Sequence, residues 1–151
     1  RGLVASTDNF SELAAGFWTL HGDVGDLAPI QSLSKSWEVP RLAEMFGVPK
    51  ETVFAKPTDG LGISDGDEAQ FGFSYLEFDL VLLKLCQAEN LSSRANCLEY
   101  LNVPEAELER VNRILDRIRS STFKRSNPYN LDHPAQTNRY NGLDIIDRAL
   151  W

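Results

Sequence analysis

The sequence predicts an α/β fold in which helices dominate and one or two strands are present. Two observations carry that expectation. The chain opens on a short apolar segment, Leu3-Val4-Ala5, which passes through the polar turn Ser6-Thr7-Asp8 into a helix start at Asn9. A strand that turns directly into a helix is the first part of a βα unit, and open α/β folds take their ligands at the carboxyl ends of such strands. Downstream, the apolar residues recur at helical spacing, between breaks made by Gly and Pro. A lone parallel strand cannot form a sheet, so its neighbours are expected from elsewhere and the chain is expected to begin inside a domain.

In chain order, Asn9 to about Leu20 reads as a helix, with Asn9 as N-cap and Glu12 as its capping-box partner. Gly22-Asp23-Val24-Gly25-Asp26 breaks it into a loop, and Pro29 to Ser34 is a connector. A helix from about Ser36 to Phe46 carries Trp37, Leu42, Met45 and Phe46 roughly on one side. Gly47 fits the position just past its end, and Pro49 opens a short helix to about Ala55. Lys56 to Phe71 is a long polar loop, the kind used as a lid or binding loop. Ser74-Tyr75-Leu76-Glu77 is a capping box. The helix behind it, to about Ala88, is apolar nearly all round and is expected to be buried against the core or a second subunit. A short helix follows from Ser93 to Leu101. A long amphipathic one then runs from near Pro104 to about Ser121, its apolar side Leu108, Val111, Leu115 and Ile118. Phe123-Lys124-Arg125 ends it, with Asn127-Pro128 as the stop. The tail from Tyr129 is polar, and Leu143 to Trp151 reads as a final docked helix.

The 151 residues suffice for one domain with a core. A net charge of −7 argues against a nucleic-acid binder, whose phosphate contacts need clustered Lys and Arg. No run approaches the length of a membrane span, and no signal pattern stands at the N-terminus, so a cytoplasmic protein is expected. The two cysteines, Cys86 and Cys97, form no CxxC and read as free thiols in a reducing compartment. The spacing of Gly60, Gly62 and Gly66 misses the dinucleotide fingerprint, and Ala69 breaks a calcium-loop pattern. With only His21 and His133, no Ser-His-Asp set is apparent.

Four motifs carry a resemblance. They are Ser6-Thr7-Asp8-Asn9-Phe10-Ser11-Glu12, Gly16-Phe17-Trp18-Thr19-Leu20-His21-Gly22-Asp23, Asp26-Leu27-Ala28-Pro29 and Ser34-Lys35. In order and spacing they resemble the second half of an NAD synthetase, and the resemblance runs from about Leu3 to Pro128. It implies an adenine-nucleotide α-hydrolase-like, Rossmann-like fold, with residues 1–128 its C-terminal part and 129–151 a tail. It also implies ATP-dependent amidation of deamido-NAD through an adenylate. Ammonia is the expected nitrogen donor, because no glutaminase segment is visible. The family's phosphate loop, Ser-Gly-Gly-x-Asp-Ser, does not occur here. The chain is therefore expected to hold a partial site, inactive alone, that needs an N-terminal phosphate-loop half and a homodimer partner. A non-catalytic nucleotide-binding fragment and a helical interaction module are the alternatives.

The resemblance also assigns residues. Thr7 aligns with an ATP-contacting Thr, and Glu12 with a magnesium ligand, although the same carboxylate suits the capping box. Asp26 aligns with a contact to deamido-NAD. The loop is one residue shorter than the usual form, so Asp23 remains open for that role. Lys35 matches the Lys that reaches the ATP phosphates and is a catalytic candidate. Thr58, in Lys56-Pro57-Thr58, matches an ATP contact at the start of the family's mobile loop. Asp67, with Glu68, matches that loop's acidic end and is the second catalytic candidate. Lys124, in Phe123-Lys124-Arg125, matches a contact to deamido-NAD. Leu20 and Gln70 stand where members often carry Lys and Glu, and Phe123 where some carry His.

Overall fold

The computed structural model describes residues 2–20, 22–23, 25–58, 60, 62, 65–125 and 138–151. Helix α1 (Phe10–Ala15) starts on a complete capping box: the Asn9 side chain accepts from the Glu12 amide and Glu12 reaches back to the Asn9 amide. It ends at Gly16, well short of Leu20. Gly16 takes a left-handed φ of 62°, and a Cβ there would sit 2.4 Å from the Ser121 Cβ. The close approach of the later chain, together with the left-handed turn, stops the helix where sequence spacing alone carries it on.

The remaining helices are α2 (Glu38–Met45), α3 (Lys50–Val53), α4 (Asp67–Phe71), α5 (Tyr75–Leu85), α6 (Arg94–Leu101), α7 (Leu108–Ser120), α8 (Thr122–Arg125) and α9 (Asn138–Leu150). A 3₁₀ turn at Glu105–Glu107 leads into α7. The core is built where α1, α5, α6, α7 and α9 meet. Phe10, Phe78, Leu82, Leu85, Ile114, Leu115, Ile118 and Ile146 are fully buried there. Among the described residues no helix is long and apolar enough to cross a membrane.

Several expectations change. The opening strand is reduced to a single parallel bridge between Ala5 and Leu27, and no strand occurs among the described residues. Three backbone hydrogen bonds hold the bridge: Ser6 N–H to Leu27 O at 2.7 Å, Asp26 N–H to Val4 O at 2.8 Å and Leu27 N–H to Val4 O at 3.1 Å. Parallel pairing extends only where further strands and covering layers flank it, and here Leu3 and Val4 stay exposed. No residue of α2 is buried, and among the described residues nothing covers Trp37, Met45 and Phe46, which are exposed. The polar loop from Lys56 is not structureless to its end, since Asp67–Phe71 forms α4. On α5, Leu76 and Leu80 are exposed, so the helix is covered on one side only. The interior face of α7 is Val111, Ile114, Leu115 and Ile118, with Leu108 half-buried at the start. Phe123-Lys124-Arg125 lies in its own short helix, α8. The Asn127-Pro128 stop lies outside the described residues. Helix α9 begins at Asn138 and buries Leu143, Ile146, Ala149 and Leu150 against the core. Cys97 is a free thiol buried in the core.

Candidate functional site

The carboxyl end of the bridged segment, the N-terminus of α1, the Ser34–Ser36 turn, the two ends of the polar loop and helix α8 surround one cavity of about 530 Å³. Thr7, Glu12, Lys35, Thr58, Asp67 and Lys124 all line it. Asp26 does not. Its carboxylate accepts from the Val4 amide at 2.9 Å and fastens the bridge, whereas Asp23 lines the cavity and accepts from the Thr19 amide at 2.5 Å.

Lys35 is the centre of the polar wall. Its ammonium donates to Glu12 Oε1 at 2.5 Å, stands 3.6 Å from Asp67 Oδ2, and lies 4.5 Å from the centre of the Tyr75 ring. Glu12 uses its other oxygen on Asn9, accepting from the amide at 3.1 Å and from Nδ2 at 2.7 Å. The capping role and the cavity role thus fall to different oxygens of one carboxylate. Asp67 is 2% exposed. Its Oδ2 accepts from the Tyr75 hydroxyl at 3.5 Å, and its Oδ1 has no hydrogen-bond partner among the described residues. Burial and the charges of Glu12 and Asp67 keep the proton on the Tyr75 hydroxyl well above its usual range.

The polar loop is closed at its base. The Asp67 amide donates to Pro57 O at 3.2 Å. Gly66, at φ 115°, lets that contact form, since a Cβ would lie 2.7 Å from the same carbonyl. This clasp sets Thr58 and Asp67 on one wall of the cavity.

On the other wall, Lys124 donates to Gly16 O at 2.7 Å and Trp18 O at 2.5 Å, and lies 5.5 Å from the centre of the Trp18 ring. Burial and the nearby Arg117 push its pKa down. Arg125 turns away from the cavity. It pairs with Asp147 of α9 and donates to the carbonyls of Ala14 and Ile118.

Sequence reasoning missed Arg117 and Asp8. Arg117 donates to Ala15 O at 2.6 Å and stacks 5.1 Å above the Phe71 ring. It occurs among Arg110, Arg113 and Arg119 on one helix, so nothing local distinguishes it. Asp8 lines the same cavity, and burial lifts its carboxyl to about 6 against the pull of the Ser6 hydroxyl. Its position between Thr7 and Asn9, at the carboxyl end of the bridged segment, was the available signal.

Among the described residues no three His, Cys, Asp or Glu side chains form a metal cage. The donor set nevertheless fits a cation that takes one or two carboxylates and completes its shell with ligand oxygens and water. Glu12 and Asp67 already face one cation, the Lys35 ammonium, and among the described residues Asp67 Oδ1 is buried without a hydrogen-bond partner.

The cavity wall carries both signs of charge, Lys35, Arg117 and Lys124 positive and Asp8, Glu12, Asp23 and Asp67 acidic. The sequence profile of the NAD synthase family matches residues 1–128. The chain is 36% identical over 127 residues to the NH(3)-dependent NAD(+) synthetase of Methanocaldococcus jannaschii, the match covering 83% of this chain and 46% of that one. It is 39% identical over 137 residues to the protein of the same name from Methanopyrus kandleri, covering 88% and 47%. A third of that name, from Mycoplasmopsis pulmonis, is 46% identical over 83 residues, covering 54% and 32%. The chain spans about half the length, or less, of these curated relatives. Every residue lining the cavity falls within the stretch matched by the profile, and the chain belongs to the NAD synthase family.

Proposed function

We propose that this chain forms the C-terminal share of a site that amidates deamido-NAD to NAD at the expense of ATP. The nicotinate carboxylate attacks the α-phosphorus of ATP, forming an acyl adenylate and releasing pyrophosphate. Ammonia then attacks the acyl carbon, AMP leaves with the bonding electron pair, and one proton is lost from nitrogen. The observation that carries the reading is the convergence of Thr7, Glu12, Lys35, Thr58, Asp67 and Lys124 on one cavity. Lys35 would leave Glu12 to meet the phosphates, as suits a point charge on a flexible stem. Glu12, with Asp67 beside it, would then hold magnesium. When bound, the metal neutralises phosphate charge. Thr7 and Thr58 would donate hydroxyl hydrogen bonds to ATP. Asp23 fits the dinucleotide contact better than Asp26, whose carboxylate is engaged with the Val4 amide. Lys124 would hold the Gly16–Trp18 backbone against the dinucleotide, or turn to it directly. Little here requires a covalent nucleophile, and the work is positioning and electrostatic stabilisation.

A phosphate loop from the rest of the protein and a second copy of the chain complete the proposal, the exposed Leu76 and Leu80 of α5 supporting an apolar subunit contact. The test is NAD formation from deamido-NAD, ATP, magnesium and ammonia by the complete gene product, beside the 151-residue chain. Activity is expected only in the complete product, and Lys35→Ala in it should lower turnover roughly a hundredfold. Unchanged kinetics would remove Lys35 from the site. Inactivity of the complete product would overturn the reading in favour of a binding module.

A further inference from the structure

We infer that Asp79, buried within α5, is a positioning residue that fixes the backbone from which Lys35 enters the cavity; its kinetic consequence rests on the reading of Lys35 as the residue that meets ATP phosphates. Asp79 is 2% exposed and stands between the fully buried Phe78 and Leu82. A carboxylate there is costly unless its oxygens are satisfied. They are satisfied by the Lys35 turn. Ser36 donates to Oδ2 twice, from its amide at 2.9 Å and its hydroxyl at 2.6 Å. The Ser11 hydroxyl donates to Oδ1 and accepts the Lys35 amide at 2.9 Å. Two consecutive amides, Lys35 and Ser36, therefore end on Asp79, one through Ser11 and one directly. On the near side the turn is held by the Phe10 amide, which donates to Leu33 O at 2.9 Å. Ser34 adds a local tie, its amide and hydroxyl each donating to Glu38 Oε2 at 2.8 Å.

The chemistry selects a carboxylate. An ionised Asp is acceptor-only at both oxygens, and it faces donors at both. An amide keeps the Ser36 anchors only by turning its NH2 to Ser11, whose hydroxyl must then accept that NH2 together with the Lys35 amide and give up its charge-assisted donation, so the relay is weakened at constant shape. A binding side chain keeps its productive geometry only when packing and hydrogen bonds behind it hold its backbone and rotamer.

The experiment uses the complete gene product with Asp79→Asn, Ser11→Ala and Ser36→Ala. The readouts are KM for ATP, KM for deamido-NAD, thermal midpoint, and acetylation of Lys35 by acetic anhydride relative to Lys50 and Lys84, followed by peptide mass spectrometry. Asp79→Asn and Ser11→Ala should raise KM for ATP roughly tenfold, as the loss of one buried hydrogen bond does. KM for deamido-NAD should stay within about twofold, and Lys35 should acetylate several-fold faster as its tie to Glu12 loosens. Ser36→Ala keeps the amide anchor and should move each quantity less. A lowered thermal midpoint with unchanged KM for ATP and unchanged Lys35 acetylation would overturn the proposal and leave Asp79 a core residue. If the parent protein makes no NAD, the functional reading fails, and Lys35 acetylation still decides the positioning. If Asp79→Asn does not fold, Ser11→Ala keeps the carboxylate and both Ser36 donors, removes the donor to Oδ1 and the relay to the Lys35 amide together, and decides it alone.

Discussion

Asp8 occupies an unusual place for an acid, half-buried at the end of the bridged segment and facing a cavity that already contains Glu12 and Asp23. Burial is the main cause that lifts its carboxyl to about 6, the Ser6 hydroxyl opposes the shift, and Glu12 adds to it. The folded state thus binds this proton more tightly than the unfolded chain does. The stability that Asp8 contributes is complete below its ordinary value of 3.8 and is lost as pH rises toward about 6. Asp8→Asn removes the charge that costs stability above that window. Its thermal midpoint should exceed the parent's by roughly 2–4 °C at neutral pH, about 1 kcal/mol after screening of a half-exposed group, with the gap closing toward pH 4. Parallel midpoint curves for the two proteins across this range would refute the argument. Asp79 is the contrasting case. Burial raises it too, but the Ser11 and Ser36 donors hold it back, so the same residue type is tuned by its partners.

Helices α1, α7, α8 and α9 are joined through one side chain. Arg125 donates to Asp147 of α9, to the Ala14 carbonyl of α1, to the Ile118 carbonyl of α7 and to the Ser121 hydroxyl. Its side chain is only 8% exposed, so the guanidinium depends on Asp147 for its counter-charge. Asp147→Ala should therefore lower unfolding stability by roughly 3 kcal/mol, seen as a lower urea midpoint at an unchanged denaturant slope. A loss under about 0.5 kcal/mol would mean that the carbonyls alone satisfy the cation. This network also marks how far a sequence can be read. The capping boxes at Asn9 and Ser74 were legible because every partner lies within four residues. The apolar face of α7 was legible because its spacing is local, and Ile114, at i+3 from Val111 and i−4 from Ile118, was open to the same reading although the expected face held only Leu108, Val111, Leu115 and Ile118. The end of α1 was not legible, since Gly16 meets Ser121 from more than a hundred residues away. Asp79 was hidden in the apolar run Phe78-Asp79-Leu80, where a lone acid was itself the signal for a buried polar anchor. The one-sided apolar pattern of α2 was legible, but such a pattern states which side seeks a partner and not whether one is there, and no residue of α2 is buried.

On the scale of the whole molecule, the exposed bridge is the feature that bears most directly on whether a further strand adds to it. Ala5 and Leu27 pair in parallel, yet Leu3 is 71%, Val4 61% and Leu27 53% exposed. Parallel pairing is otherwise found in sheets covered on both faces. The chain also spans about half the length of the relatives it matches, and its cavity opens beside this bridge, where Thr7 and Asp8 follow directly from it. If the complete product continues the sheet from this edge, the amides of Ser6, Asp26 and Leu27 pass from a three-bond bridge at the surface to the interior. Their hydrogen exchange should then slow by on the order of a hundredfold relative to the 151-residue chain, while the amides of α5, already in the core, should change little. Mass-spectrometric exchange on the two proteins side by side makes the comparison. Equal exchange at Ser6 and Leu27 in both would mean that nothing adds to the edge. The α/β expectation drawn from Leu3-Val4-Ala5 would then fail, and the cavity would have to bind nucleotide on a helical scaffold alone.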